Sequence, residues 1–150
     1  MGRELGSTYA KAIENAALVE VGKVREGDIE AVYFVEGIPA ILVHREYGLI
    51  PSLYHIYKVG LTPDLPSVYV DAGATPRILN GADVMVPGIR KVDGSFEAGS
   101  KVLVREIEKG RPLAVGVALM SSSEISGSSR GKAVLNVHYV GDEYWYLATS

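Results

Sequence analysis

From Ser67 onward the chain is a succession of short apolar runs cut apart by turn residues. SVYVDAG, ADVMV, KVLVREI, PLAVGVALM and GKAVLNVHYV follow one another, with Pro87-Gly88, Asp93-Gly94 and Lys109-Gly110 among the breaks. Runs of this length are strands, and many of them at close spacing predict a small barrel or pseudo-barrel. In the last run Ala133, Leu135, Val137 and Tyr139 alternate with a second set, which predicts a strand with two distinct faces. Ser121–Ser123 and Ser126–Ser129, with Gly127 inside, predict a loop.

The first part of the chain is built differently. Ser7 is placed to cap a helix through TYAKAIENAAL, with Tyr9, Ile13 and Ala16/Ala17 on one face. ALVEVGKV and EAVYFV predict strands, and Glu36-Gly37 between VYFV and IPAILV predicts a hairpin. Pro39 points its strand toward a sheet edge. PSLYHIYKVG predicts a short helix stopped by Gly60, turning Leu53, Ile56 and Tyr57 inward. LTPDLP, residues 61–66, holds two prolines and an aspartate and predicts a linker. The expected domains are therefore 1–65 and 66–150.

Asn80-Gly81 looks at first like a hairpin tip, but TPRIL before it is no strand. Thr75 suits a helix N-cap, Pro76 the first helical position and Gly81 a left-handed stop. TPRILNG thus predicts a helix of one to two turns, after which Ala82 to Val86 leaves as a strand.

Composition removes several functions. With 47% hydrophobic and 22% charged residues the chain can bury a core and is not disordered. Its apolar stretch from Leu113 to Met120 is far short of a membrane span, and MGRELGSTYAKA carries no apolar signal core. A soluble, cytoplasmic protein without membrane contact is expected. Cysteine is absent, which excludes disulfides, thiolate catalysis and cysteine zinc sites. The net charge of −3 argues against non-specific coating of nucleic acid. Residues 1–66 hold six Lys/Arg against nine Asp/Glu, whereas 67–150 hold nine of each, so local basic clusters belong to the second part.

Catalytic motifs fail on context. GSSRG at 127–131 matches the nucleophile elbow G-x-S-x-G, but a strand rather than a helix follows Ser129, and His138 and Asp142 come in the wrong order. GSSRGK is one residue short of a phosphate-binding loop, with alanine where Ser/Thr is needed. His44, His55 and His138 have no metal-site spacing and are expected to be partly buried or at the surface. Glu106/Glu108 and Asp142/Glu143 are expected to be solvated pairs. No enzyme, metal or cofactor is expected.

A binding surface remains. The amides around Gly73, Ala74 and Arg77 open the short helix, where a phosphate can sit. Arg77, Arg90, Lys91, Arg130 and Lys132 supply positive charge near that helix, the Pro-Gly turn and the serine loop. Brought together they would form a basic patch; apart, they are ordinary surface charge.

GATPRILNGADVMVPGI, LAVGVALMSSSEI and RGKAVLNVHYVGDEYW, together spanning about residues 66–147, closely resemble the PUA domain, named for pseudouridine synthases and archaeosine transglycosylases. GLIPSLYHIYKVG directly before them resembles the pre-PUA helix of the malignant T-cell-amplified-sequence and ligatin group. The resemblance implies an α+β protein, a small α/β pre-PUA domain followed by a PUA β pseudo-barrel with short helices. It implies a non-catalytic RNA-binding role in translation. The partners would be a structured RNA, either the transfer RNA acceptor end or ribosomal RNA, with the small ribosomal subunit and a translation-factor partner. Carried onto this sequence, the RNA site takes in Thr75, Arg77, Asn80, Gly81, Asp83, Pro87, Gly88, Arg90, Arg130 and Lys132. Among these, Asp83, Pro87 and Gly88 are expected to shape the corner, while the cations touch phosphate. Tyr69 and Tyr139 are the aromatic candidates for base stacking. The alternatives are an accessory role in ribosome assembly or RNA modification, and a protein–protein adaptor that has lost RNA binding.

Overall fold

The computed structural model describes residues 5–16 and 18–149. They form two compact units: the chain through Asp64, joined by the stretch from Glu143 on, and Leu65–Asp142.

The first unit pairs helix α1 (Ser7–Glu14) and helix α2 (Leu53–Val59) with a four-stranded sheet. Strands β1 (Val19–Lys23), β2 (Ile29–Val35), β3 (Ile38–His44) and β4 (Gly48–Pro51) lie side by side in chain order, all antiparallel. The central hairpin starts from a tight turn, and its register shifts between Tyr33 and Phe34 and again between Ile29 and Ala31. Glu36 and Gly37 both have positive φ, 51° and 79°, the paired left-handed geometry whose twist matches that of the flanking strands. Pro39 does not put β3 at an edge, because β3 pairs with β2 on one side and β4 on the other. The proline is tolerated because β4 begins its pairing only at Ile41, leaving the imide nitrogen with no ladder bond to miss on that side.

Ser7 is not a cap. Gly6 holds that position without any side-chain bond, and α1 buries Tyr9, Ala10 and Ile13. Ala16 is half-buried, and Ala17 lies outside the described residues. The Tyr9 hydroxyl donates to the Ala40 carbonyl at 3.4 Å, and burial pushes the phenol pKa up. In α2 the Ser52 hydroxyl accepts from the His55 amide, and Leu53, His55 and Ile56 face inward. Tyr57, expected inside, is 45% exposed. Its ring meets Trp145 edge-on, as does that of Tyr54. These contacts hold the final 3-10 turn, Trp145–Thr149, to the first unit.

The second unit carries β5 (Ser67–Val70), α3 (Thr75–Ile78), β6 (Val84–Met85), β7 (Ile89–Asp93), β8 (Lys101–Glu106), β9 (Pro112–Ala118), α4 (Ser122–Gly127) and β10 (Lys132–Tyr139). Its sheet runs β6-β10-β9-β8-β5-β7, with β5 and β8 parallel and all other pairs antiparallel. The edge strands β6 and β7 are joined only by the 3-10 turn Val86–Gly88. Five strand spacings laid flat would separate them by about 24 Å, while the linking residues reach about 14 Å. The sheet must therefore curl, and its seam lies at Val86–Gly88. Val68, Val70, Val102, Val104, Ala133 and Val134 fill the inside. The result is the α+β half-barrel that the run of short strands predicts.

Several local expectations need correction. Part of the serine run is helical: Ser121 and Glu124 form a reciprocal capping box at the start of α4, while Ser128 and Ser129 lie beyond its end. In β10 the register slips between Asn136 and His138, so His138 rather than Val137 is buried. The histidines are all buried: His44 9% exposed, His55 2% and His138 0%. His138 Nδ1 lies 2.9 Å from the Asp142 carboxylate, so Asp142 is structural and not solvated. Glu106 is buried too, accepting from the amides of Lys109 and Arg111. Burial would raise its pKa, but those amides and the Arg111 guanidinium outweigh it and hold the carboxyl below its ordinary value. No helix among the described residues is long and apolar enough to cross a membrane.

Candidate functional site

The seam of the second unit is flanked by two clefts that share Pro87. The cleft on the β6 side encloses ≈ 460 Å³ and is lined by Asp71, Gly73 and Ala74, by Arg77 and Ile78 of α3, by Asp83 to Met85, and by Pro87 and Gly88. Asp71 builds it. Its amide donates to Gly88, and its Oδ1 accepts from the Ala74 amide at 2.9 Å. An aspartate bonding the amide three residues on is a local turn device. DAGA therefore contained a signal that the sequence reading passed over.

This arrangement changes the role of the helix start. Thr75 does not cap α3; Ala74 precedes it without a side-chain bond, and the Thr75 hydroxyl donates to the Asp71 carbonyl at 3.1 Å. The Ala74 amide expected to meet a phosphate already meets a carboxylate. Gly81 ends the segment with φ of 94°, facing the Tyr139 ring. The left-handed backbone demands glycine here. Asn80 is exposed in the turn before it.

Asp83 ties the corner to the sheet. Its Oδ1 accepts the Asn136 amide at 2.8 Å and its Oδ2 lies 3.4 Å from Lys132 Nζ. The Asn136 side chain donates to the carbonyls of Ile78 and Ala82. Lys132 is thus paired with a carboxylate, and Arg130 stands exposed in the loop, lining neither cleft. The charged residues lining the cleft are Arg77 and two acids, Asp71 and Asp83, beside apolar Ile78, Val84 and Met85.

The cleft on the β7 side, ≈ 440 Å³, has the opposite character. Arg90 and Lys91 line it with Ser126, Ser128 and Ser129, and it has no acidic lining residue. The predicted cations that line a cleft are thus divided between the two. Arg77 lies on one side of the seam and Arg90 on the other. Lys91 and the serines acquire a place that only strand pairing could give them. No group of three or more His, Asp or Glu residues suited to a metal ion occurs among the described residues.

The PUA domain family matches residues 66–140. A protein of Methanocaldococcus jannaschii is 36% identical over 128 residues, covering 81% of this chain and 77% of its own length. Translation machinery-associated protein 20 of Schizosaccharomyces pombe is 34% identical over 76% of this chain and 64% of its own. Malignant T-cell-amplified sequence 1-B of Xenopus laevis is 32% identical over 70% of this chain and 59% of its own. The chain thus spans somewhat less than two thirds of those last two relatives. A solved protein of Pyrococcus horikoshii OT3 superimposes with a TM-score of 0.81 at 32% identity, covering 98% of this chain and 89% of that one. The archaeal box H/ACA Nop10–Cbf5 complex gives 0.50 at 28% identity, covering 63% of this chain and 35% of that one.

Proposed function

This chain belongs to the PUA domain family, and on that premise we propose that it is a non-catalytic RNA-binding protein of translation that takes a single-stranded RNA end in the cleft beside Arg77. The carrying observation is the charge of that cleft. Arg77, with Lys132 paired to Asp83, balances Asp71 and Asp83, and a locally neutral cleft suits an uncharged, hydrogen-bonding ligand better than a bare phosphate. A nucleobase has the required form. Its exocyclic amino group can donate to Asp71, whose Oδ2 has no protein partner among the described residues. Its face can lie on Met85 and Pro87, both exposed, while Arg77 stacks or meets the neighbouring phosphate.

The acceptor end of transfer RNA supplies such unpaired bases, and the name of translation machinery-associated protein 20 supports a place in translation. On the same reading it acts at the small ribosomal subunit with a translation-factor partner, in the cytoplasm. A second reading, an accessory in RNA modification or ribosome assembly, is favoured by the likeness to the box H/ACA complex.

The test is binding of labelled transfer RNA with an intact or trimmed 3′ end, across a salt series. The expected result is tighter binding of the intact end, weakened by Arg77→Gln and by Asp71→Ala. Equal binding of both would replace the acceptor end with another structured RNA. Absence of binding at low salt would overturn the RNA reading.

A further inference from the structure

We infer that the second cleft, between β7 and the segment leaving α4, is a ribose–phosphate subsite that distinguishes RNA from DNA. The inference rests on the RNA reading above and assigns to it a second contact region across Pro87.

The observation behind it is a bulge. β5 and β7 pair Tyr69 with Lys91 and then Val70 with Ile89, so Arg90 is the extra residue. In an unbroken strand neighbouring side chains would point to opposite faces. Here Ile89 and Val92 both pack on the core, and Arg90 and Lys91 are both exposed. A bulge re-aims side chains in this way. Lys91 is held with its ammonium 4.9 Å from the centre of the Tyr69 ring, an arrangement that favours the cation while leaving it accessible. Arg90 has no ion-pair partner among the described residues.

Across the cleft stand Ser126, Ser128 and Ser129 over the buried Ile125. The capping box at Ser121 and the bond from the Val86 amide to the Gly131 carbonyl fix this segment at both ends. Two cations with no lining carboxylate suit a phosphate, and the guanidinium fork can hold it through two oxygens. Hydroxyls both donate and accept, the pairing a ribose 2′-OH offers and deoxyribose lacks. The two clefts then divide the work: the base sits on the β6 side of Pro87, and the sugar–phosphate of an adjoining nucleotide on the β7 side.

The experiment uses a short single-stranded RNA ending in CCA and a DNA of the same sequence, titrated against the full chain at several salt concentrations. All substituted positions are exposed, and melting curves check that each variant is folded. Arg90→Gln should weaken RNA binding about tenfold and make the salt slope shallower by about 0.7, one phosphate contact on a single strand. Arg90→Lys should recover only part of the affinity, because it keeps the charge and loses the fork. Ser128→Ala with Ser129→Ala should lower the RNA-to-DNA affinity ratio about fivefold, the weight of one neutral hydrogen bond. RNA binding that depends on Arg77 but ignores both sets of changes overturns the subsite and leaves the RNA reading standing. No binding of RNA by the parent protein overturns both.

Discussion

The two sheets of this protein solve register in different ways. In the first unit each strand pairs with the next in sequence, and one two-residue turn, Glu36-Gly37, starts the pairing of β2 and β3, whose register then shifts twice further along. In the second, β5 lies between β7 and β8, and β10 lies between β6 and β9. Order there depends on contacts far apart in sequence, and on places where backbones come close. A meander closes only short loops as it forms, whereas non-local pairing must close long ones first. The curled sheet has one closure, the Val86–Gly88 seam, and both candidate clefts depend on it. The binding surface is thus built on the less local of the two folds.

The sharpest way to break this contrast is Gly116→Val. Gly116 faces Asn136 in the β9–β10 pair, and a Cβ there would lie 2.4 Å from the Leu135 carbonyl oxygen. Backbone cannot yield as a flexible side chain would, so the second unit should lose about 4 kcal/mol or more. Chemical denaturation would read this directly, and a loss under 1 kcal/mol would show that the close approach is not required.

A middle-sized effect belongs to Gly81→Val. The substitution puts a β-branched side chain at φ of 94° against the Tyr139 ring, at a cost of about 2–3 kcal/mol. A melting temperature equal to the parent's contradicts the helix stop that sets up the first cleft.

The pH response probes the first unit. His55 is buried with Nδ1 unpartnered among the described residues, and burial lowers its pKa. The unfolded chain takes up a proton near pH 6.5 while the folded one still refuses it. This contribution is therefore full above that pH and is lost as pH falls through the folded value. His55→Phe should flatten the decline in stability on acidification, measured against the parent by urea melts. Parallel pH curves for the two proteins would remove His55 as its source.

The smallest change expected is a gain. Glu36 is the described non-glycine residue with positive φ, and asparagine adopts that conformation more readily. Glu36→Asn should stabilise the first unit by about 0.5 kcal/mol, visible as a shifted urea midpoint. A loss would mean that the Glu36 carboxylate, which accepts from the Leu18 amide at 3.1 Å, outweighs the turn preference.

Much of the site was legible along the chain, but its assembly was not. Gly81 and the short helix before it were evident from neighbouring residues. The capping box in Ser121–Glu124 was equally local, yet the serine run hid it behind the look of a loop. Asp142 could not be recognised as buried, because its partner His138 is inward only through a register slip in β10. Arg77 and Arg90 look like members of one cluster in sequence, and the seam separates them.

By itself the sequence determined the strands, the turns between them and the family to which the chain belongs. Those features follow from backbone preference and hydrophobic spacing over a few residues. Only the tertiary structure decided which cations are free. Lys132 is matched to Asp83 and Arg77 is set among carboxylates, while the bulge at Arg90 turns two adjacent side chains the same way. Electrostatic pairing depends on distance in space, and in a sheet ordered β6-β10-β9-β8-β5-β7 that distance has little to do with separation along the chain.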